Sequence, residues 1–149
     1  MMLIVLLFIW SVMGFLSTYH TFKQKRVLFD DHFTMTICMV ATMATSFVFC
    51  LYLILLLPDF QVVSVSFGLW IGWKIGSKLR NPAKLNGLYN GTMGGIMGTM
   101  LGAVIQNPAL CNIPIKSEAM ISNNIYVIAF FAACLYTVVL ILIRYSFRV

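Results

Sequence analysis

Charge is scarce in this chain, and negative charge scarcer still. Of 149 residues 9% are charged, with four Asp and Glu against ten Lys and Arg. A water-soluble domain usually has about a quarter of its residues charged, so this balance, with 61% of residues hydrophobic, excludes a soluble globule. The four acids, Asp30, Asp31, Asp59 and Glu118, all fall between the long apolar runs. A proton-driven carrier generally places a carboxylate or histidine inside the membrane, and that mechanism is therefore disfavoured. Cys38, Cys50, Cys111 and Cys134 form no CxxC, and only Cys111 falls in an exterior connection, so no disulfide is expected. There is no HExxH, GxSxG or GxxxxGK[ST]. The motifs that hold catalytic zinc, a nucleophilic serine or a nucleotide phosphate are thus missing. Gly91-Thr92-Met93-Gly94 follows no strand and precedes no lysine, which removes a nucleotide loop, and no enzyme is expected. No basic patch is interleaved with exposed aromatics, which argues against nucleic acid as a partner.

What is present is a series of oily runs. Crossing roughly 30 Å of hydrocarbon takes about 20 residues, and five runs qualify, at about residues 2–18, 33–57, 60–79, 85–105 and 125–143. The expected fold is an all-α integral membrane protein, a single polytopic domain over residues 1–149. The first run has no basic leader and no small-x-small cleavage site before Tyr19 and His20, so it is read as a retained span and not a signal peptide. With five crossings, Lys23, Lys25, Arg26, Lys74, Lys78, Arg80, Lys84, Arg144 and Arg148 fall on one side, and Lys116 alone falls opposite. Basic residues near span ends stay cytoplasmic. The N-terminus is then outside, the C-terminus is cytoplasmic, and a plasma (inner) membrane is the expected location.

Nine of the ten glycines lie between residues 68 and 102. At about 100° per residue, Gly87, Gly91, Gly94, Gly95, Gly98 and Gly102 share a strip of span four roughly 100° wide. Ser64, Gly68, Gly72 and Gly76 form a matching row on span three. In lipid, small-xxx-small faces let helix backbones approach closely. The short link around Asn81-Pro82 makes spans three and four antiparallel neighbours, which predicts a glycine-zipper hairpin; the alternative pairs one glycine face with a second copy in a homo-oligomer. Neither arrangement implies chemistry.

Span two carries a softer stripe. Met35, Cys38, Met39, Thr42, Met43, Ser46 and Cys50 fall within an arc of roughly 140°. Thioethers and thiols select Cu(I) over harder cations, although methionine is also an adaptable apolar filler. Met93, Met97 and Met100 lie on span four opposite the glycines. If span four is sandwiched between spans three and two, the two methionine sets converge. The pairing of MxxxM in one span with GxxxG in a later one is similar to the pattern of the eukaryotic copper transporter family. That resemblance implies Cu(I) as a transported species, and it covers only these short motifs. The chain differs from that pattern in its five spans and in the span between the two motifs.

The other polar groups have plainer roles. Lys74 and Lys78 beside Trp70 and Trp73 fit a membrane interface with snorkelling ammonium groups. Asp30-Asp31-His32 could collect a cation or merely begin a helix, and His20 stands alone. The connection from Gln106 to Asn124 is expected to form an outer cap, with Ser122 or Asn123 capping span five. Two functions follow from this reading. One is a small transport or permeation component lined by span two; the other is a non-enzymatic accessory or assembly subunit of a larger membrane complex.

Overall fold

A computed structural model describes residues 2–24, 31–79, 81–111 and 118–147, with the backbone alone at Lys23, Gln24, Asp31, Cys111, Glu118 and Ala119. The described residues are all-helical, with no strand. The helices are α1 (Met2–Gln24), α2 (Asp31–Leu56), α3 (Gln61–Gly76), α4 (Asn81–Gln106) and α5 (Glu118–Ser146), with a short 3-10 turn at Pro108–Cys111.

Among the described residues three stretches are long and apolar enough to cross a membrane: Met2–Phe22, His32–Leu56 and Met120–Ser146. A lipid bilayer is the environment such helices require. The other two helices fall short for different reasons. At 16 residues, α3 is about 24 Å long. At 26 residues, α4 has the length, but its glycines, asparagines and threonines dilute its apolar character.

In hydrocarbon every backbone polar group needs an internal partner, which makes the helix obligatory. The threonines conform to this demand. Thr18, Thr42, Thr99 and Thr137 donate to the carbonyls of Gly14, Cys38, Gly95 and Ala133, each four residues back in its own helix. Such back-bonding hides a hydroxyl within a helix. Pro58 ends α2, and the chain turns through Leu57, Asp59 and Phe60.

Some boundaries differ from those expected. α5 begins at Glu118, so Ser122 and Asn123 lie inside the helix and cap nothing. α4 begins at Asn81 with Pro82 in its first turn, where a missing N–H leaves no intrahelical bond unmade. Asn81-Pro82 therefore opens a helix instead of forming a loop. α3 stops at Gly76, and a turn continues to Leu79.

Side-chain pairs give the relative directions of the helices. Tyr52 of α2 donates to Ala129 O of α5 at 2.9 Å, while Phe33 and Phe147 meet edge to face at the other end of the same two helices. α2 and α5 are thus antiparallel. α1 and α5 run in the same direction, since Trp10 meets Thr137 and Phe22 meets Phe147. α4 runs alongside α2, with Asn86 bound to Met35 O and Gln106 bound to Ile54 O and Leu55 O. α3 opposes both. Each helix therefore reverses the one before it, and the ends of α1, α3 and α5 gather with the starts of α2 and α4. Lys74, Lys78, Lys84 and Arg144 all lie at that end of the bundle. There Lys74, Lys78 and Lys84 sit over the rings of Trp70, Tyr19 and Trp73 at 5.5, 5.4 and 4.3 Å. Lys25, Arg26, Arg80, Lys116 and Arg148 lie outside the described residues.

Candidate functional site: the three-helix seam

The most extensive packing joins α2, α3 and α4, the helices that carry the soft stripe and the glycine rows. Along α4 the glycines serve two neighbours. Toward α3, a Cβ on Gly91 would stand 2.6 Å from Gly72 Cα, and one on Gly68 would stand 2.8 Å from Gly95 Cα. Gly87 faces Gly72 O and Gly76 Cα, at 3.0 and 3.1 Å from a Cβ at that position. Toward α2, a Cβ on Gly94 would lie 2.6 Å from Met43 O, Gly98 faces Phe47 O, and a Cβ on Gly102 would lie 2.9 Å from the Ile54 side chain. At most of these positions the obstacle is backbone, which cannot rotate away.

The polar members of the α2 stripe fill the seam between these surfaces. Cys38, Thr42, Ser46 and Cys50 have no exposed surface. Cys38 Sγ donates to Ala83 O at 3.3 Å, and Ser46 Oγ donates to Gly68 O at 3.2 Å. Cys50 and Ser64 exchange bonds, with Cys50 Sγ to Ser64 O at 3.0 Å and Ser64 Oγ to Cys50 O at 3.2 Å. Thr99 divides its one hydrogen between Ser64 Oγ at 3.0 Å and Gly95 O at 2.8 Å. These groups bind backbone and one another in dry contact. The two thiols are twelve residues apart, about 18 Å along the helix, too far to share an ion.

The methionines go elsewhere. Met93, Met97 and Met100 are 39%, 48% and 63% exposed, and Met39 is 44% exposed; Met35 and Met43 are half-buried. The expected convergence of the two methionine sets does not occur. Because the α4 glycine strip contacts α2 as well as α3, the opposite face of α4 points away from both. Met35 packs at the basic end of the bundle beside Ile37 and Ala83. Met43 lines a shallow apolar groove between α2 and α5.

Among the described residues no three of His, Cys, Asp and Glu come together as ligands for a metal ion. His20 and His32 are exposed. Asp30 and the side chain of Asp31 lie outside the described residues, as do the side chain of Cys111 and residues 112–117 of the expected outer cap.

Two further features escaped the sequence reading. Tyr136 is buried, its hydroxyl near the Thr45 side chain but without a hydrogen bond of good geometry, held against the space above Gly14. α1 and α5 also enclose a groove of about 350 Å³ lined by Trp10, Met13, Ser17, Thr21, Leu140 and Arg144 among others. The signal for both was the small and hydroxylated series Ser11, Gly14, Thr18 on α1, which has helical spacing but stands apart from the main glycine cluster.

No known protein family, curated protein or solved structure matches this chain.

Proposed function

We propose that this chain is a non-enzymatic accessory or assembly subunit of a larger membrane complex. It crosses a plasma (inner) membrane five times, with its N-terminus outside and its C-terminus in the cytoplasm. α3 and α4 cross as a glycine-zipper hairpin shielded by α2, so their modest hydropathy is compensated by contact with protein instead of lipid. Support for this topology comes from the alternating helix directions and from Lys74, Lys78, Lys84 and Arg144 gathered at one end.

One observation carries the functional reading: Cys38, Ser46 and Cys50 of α2 are dry and bonded to the backbones of α3 and α4. A permeation path needs such groups to line water or an ion site. Here they hold three helices together, which gives a rigid body with outward faces for neighbours. Mass in mild detergent, measured with ion and Cu(I) flux in liposomes holding the purified chain, tests this. The expected result is a stoichiometric assembly larger than one 16.8 kDa chain and no protein-dependent flux. Saturable flux from the chain alone would overturn it.

A second reading places a path for a soft cation between copies, because Met39, Met93, Met97 and Met100 lie on the outer surface of the bundle. It requires a homo-oligomer in which those faces meet, and the same flux measurement decides it.

A further inference from the structure

We propose that the groove between α1 and α5 is a binding site for one anionic phospholipid, with the phosphodiester at Arg144 and one acyl chain along the groove. α1 and α5 run parallel here, so the groove has two distinct ends. At one end Trp10, Met13, Leu140 and Ile141 supply apolar walls, and Trp10 Nε1 closes onto Thr137 Oγ1 at 3.3 Å. At the other, Ser17, Thr21 and Arg144 supply polar groups, and this is the basic end of the bundle.

The dimensions fit. From Trp10 to Thr21 is eleven residues, about 16 Å of helix, close to half of the roughly 30 Å hydrocarbon thickness. The groove is therefore about one leaflet deep, and its volume of about 350 Å³ suits an extended chain and not a whole lipid.

Charge complementarity identifies the headgroup. Arg144 is exposed and directs one N–H to Ser17 Oγ, which leaves most of its five donors available. A planar guanidinium matches two phosphate oxygens at once. Thr18 and Thr21 donate to their own helix at Gly14 O and Ser17 O, so the donor to the lipid is Arg144. Gly14 is needed on the wall because a Cβ there would lie 2.8 Å from both Leu140 and Tyr136. This inference needs only α1 and α5 in a bilayer and stands apart from the subunit reading.

Trp10 is the reporter. In a variant with Trp70→Phe and Trp73→Phe, reconstituted in phosphatidylcholine, phosphatidylglycerol brominated on its acyl chain is expected to quench Trp10. It should do so with about fivefold higher apparent affinity than brominated phosphatidylcholine, the preference one well-placed basic residue gives toward an anionic lipid. Arg144→Gln should abolish that preference, and Lys84→Gln, at the same end but away from the groove, should retain it. Excess inorganic phosphate should leave the quenching unchanged. Equal quenching by the two lipids in the unmutated groove overturns the site, whether or not Arg144→Gln folds. An equal loss in Lys84→Gln would reduce the effect to diffuse surface attraction, and displacement by phosphate would assign the site to soluble anions; either result overturns the proposal.

Discussion

Gly91 and Gly72 stand so close that a Cβ added to Gly91 would lie 2.6 Å from the Gly72 Cα. Neither atom belongs to a flexible side chain, so any substitution at Gly91 moves one helix against the other. Gly91→Ala is predicted to lower stability by about 1–3 kcal/mol, the usual cost of overpacking, and Gly91→Leu to prevent the seam from closing. Gly95→Ala should be milder, since its nearest neighbour would be 3.1 Å away. Thermal unfolding in mild detergent ranks the three. An unchanged midpoint for Gly91→Leu would show that α3 and α4 do not meet here.

Cys50, Ser64 and Thr99 connect α2, α3 and α4 through consecutive hydrogen bonds. Removing one member leaves its partner buried and alters the next bond, so the effects should not add. The double variant Ser64→Ala with Thr99→Val, which removes both ends of the one side-chain to side-chain bond, is predicted to differ from the sum of the single variants by about 0.5–1.5 kcal/mol, the range for interhelical bonds in membranes. A double-mutant cycle on unfolding free energy measures this. Strict additivity would disconnect the network.

The helical class and the long apolar stretches were legible in the sequence. Long apolar runs place helices in a bilayer, and four-residue glycine spacing puts bare backbone on one face. What a helical wheel does not contain is the number of neighbours sharing that face. A strip roughly 100° wide admits two, with α3 against Gly87 and Gly91 and α2 against Gly98 and Gly102. Assigning the whole strip to α3 turned Met93, Met97 and Met100 toward α2, where in fact they face outward. The start of α5 was obscured for a related reason. Ser122 and Asn123 look like caps, yet propensity differences of well under 1 kcal/mol per residue do not stop a helix in this setting. The α1–α5 groove depends on two helices about 120 residues apart in sequence, and no local pattern joins them.

Two buried tyrosines make an opposed pair of predictions. Tyr52 donates to Ala129 O, so Tyr52→Phe should cost about 0.5–1.5 kcal/mol. The Tyr136 hydroxyl is buried with the Thr45 side chain beside it but no hydrogen bond of good geometry, so Tyr136→Phe removes a poorly satisfied polar group and should be close to neutral. Unfolding of both variants under one condition checks the order. A larger loss in Tyr136→Phe than in Tyr52→Phe would reveal a partner for the Tyr136 hydroxyl.

Topology gives a prediction independent of packing. The proposed five crossings would put the two ends of the chain on opposite sides, so a reporter fused before Met2 should read outside and one fused after Val149 should read cytoplasmic. A site introduced at Asp59, in the turn between α2 and α3, should label with an impermeant reagent from outside, whereas one at Lys84 should not. Both ends on one face would reduce the crossings to an even number, and the short α3 with its α4 partner would then be the first candidate for a hairpin that enters and leaves on the same side.

Met39 and Met43 separate the packing role of α2 from transport. Met39 is substantially exposed and Met43 half-buried beside Ala132 and Leu135, and neither takes part in the hydrogen-bonded seam through its side chain. Replacing both with Leu nearly conserves volume and typically costs under about 1.5 kcal/mol. For a subunit whose rigidity comes from glycine contacts, the double variant should assemble, melt and complement like the parent. For a soft-cation path between copies, the same change deletes two thioether ligands while leaving the fold intact, so metal uptake would fall and stability would not. Uptake in cells and Cu(I) flux in liposomes, compared at equal protein level, distinguish the two. Loss of flux in a variant with unaltered unfolding would transfer the function from scaffold to transport, and equal behaviour would assign the methionines to packing and lipid contact.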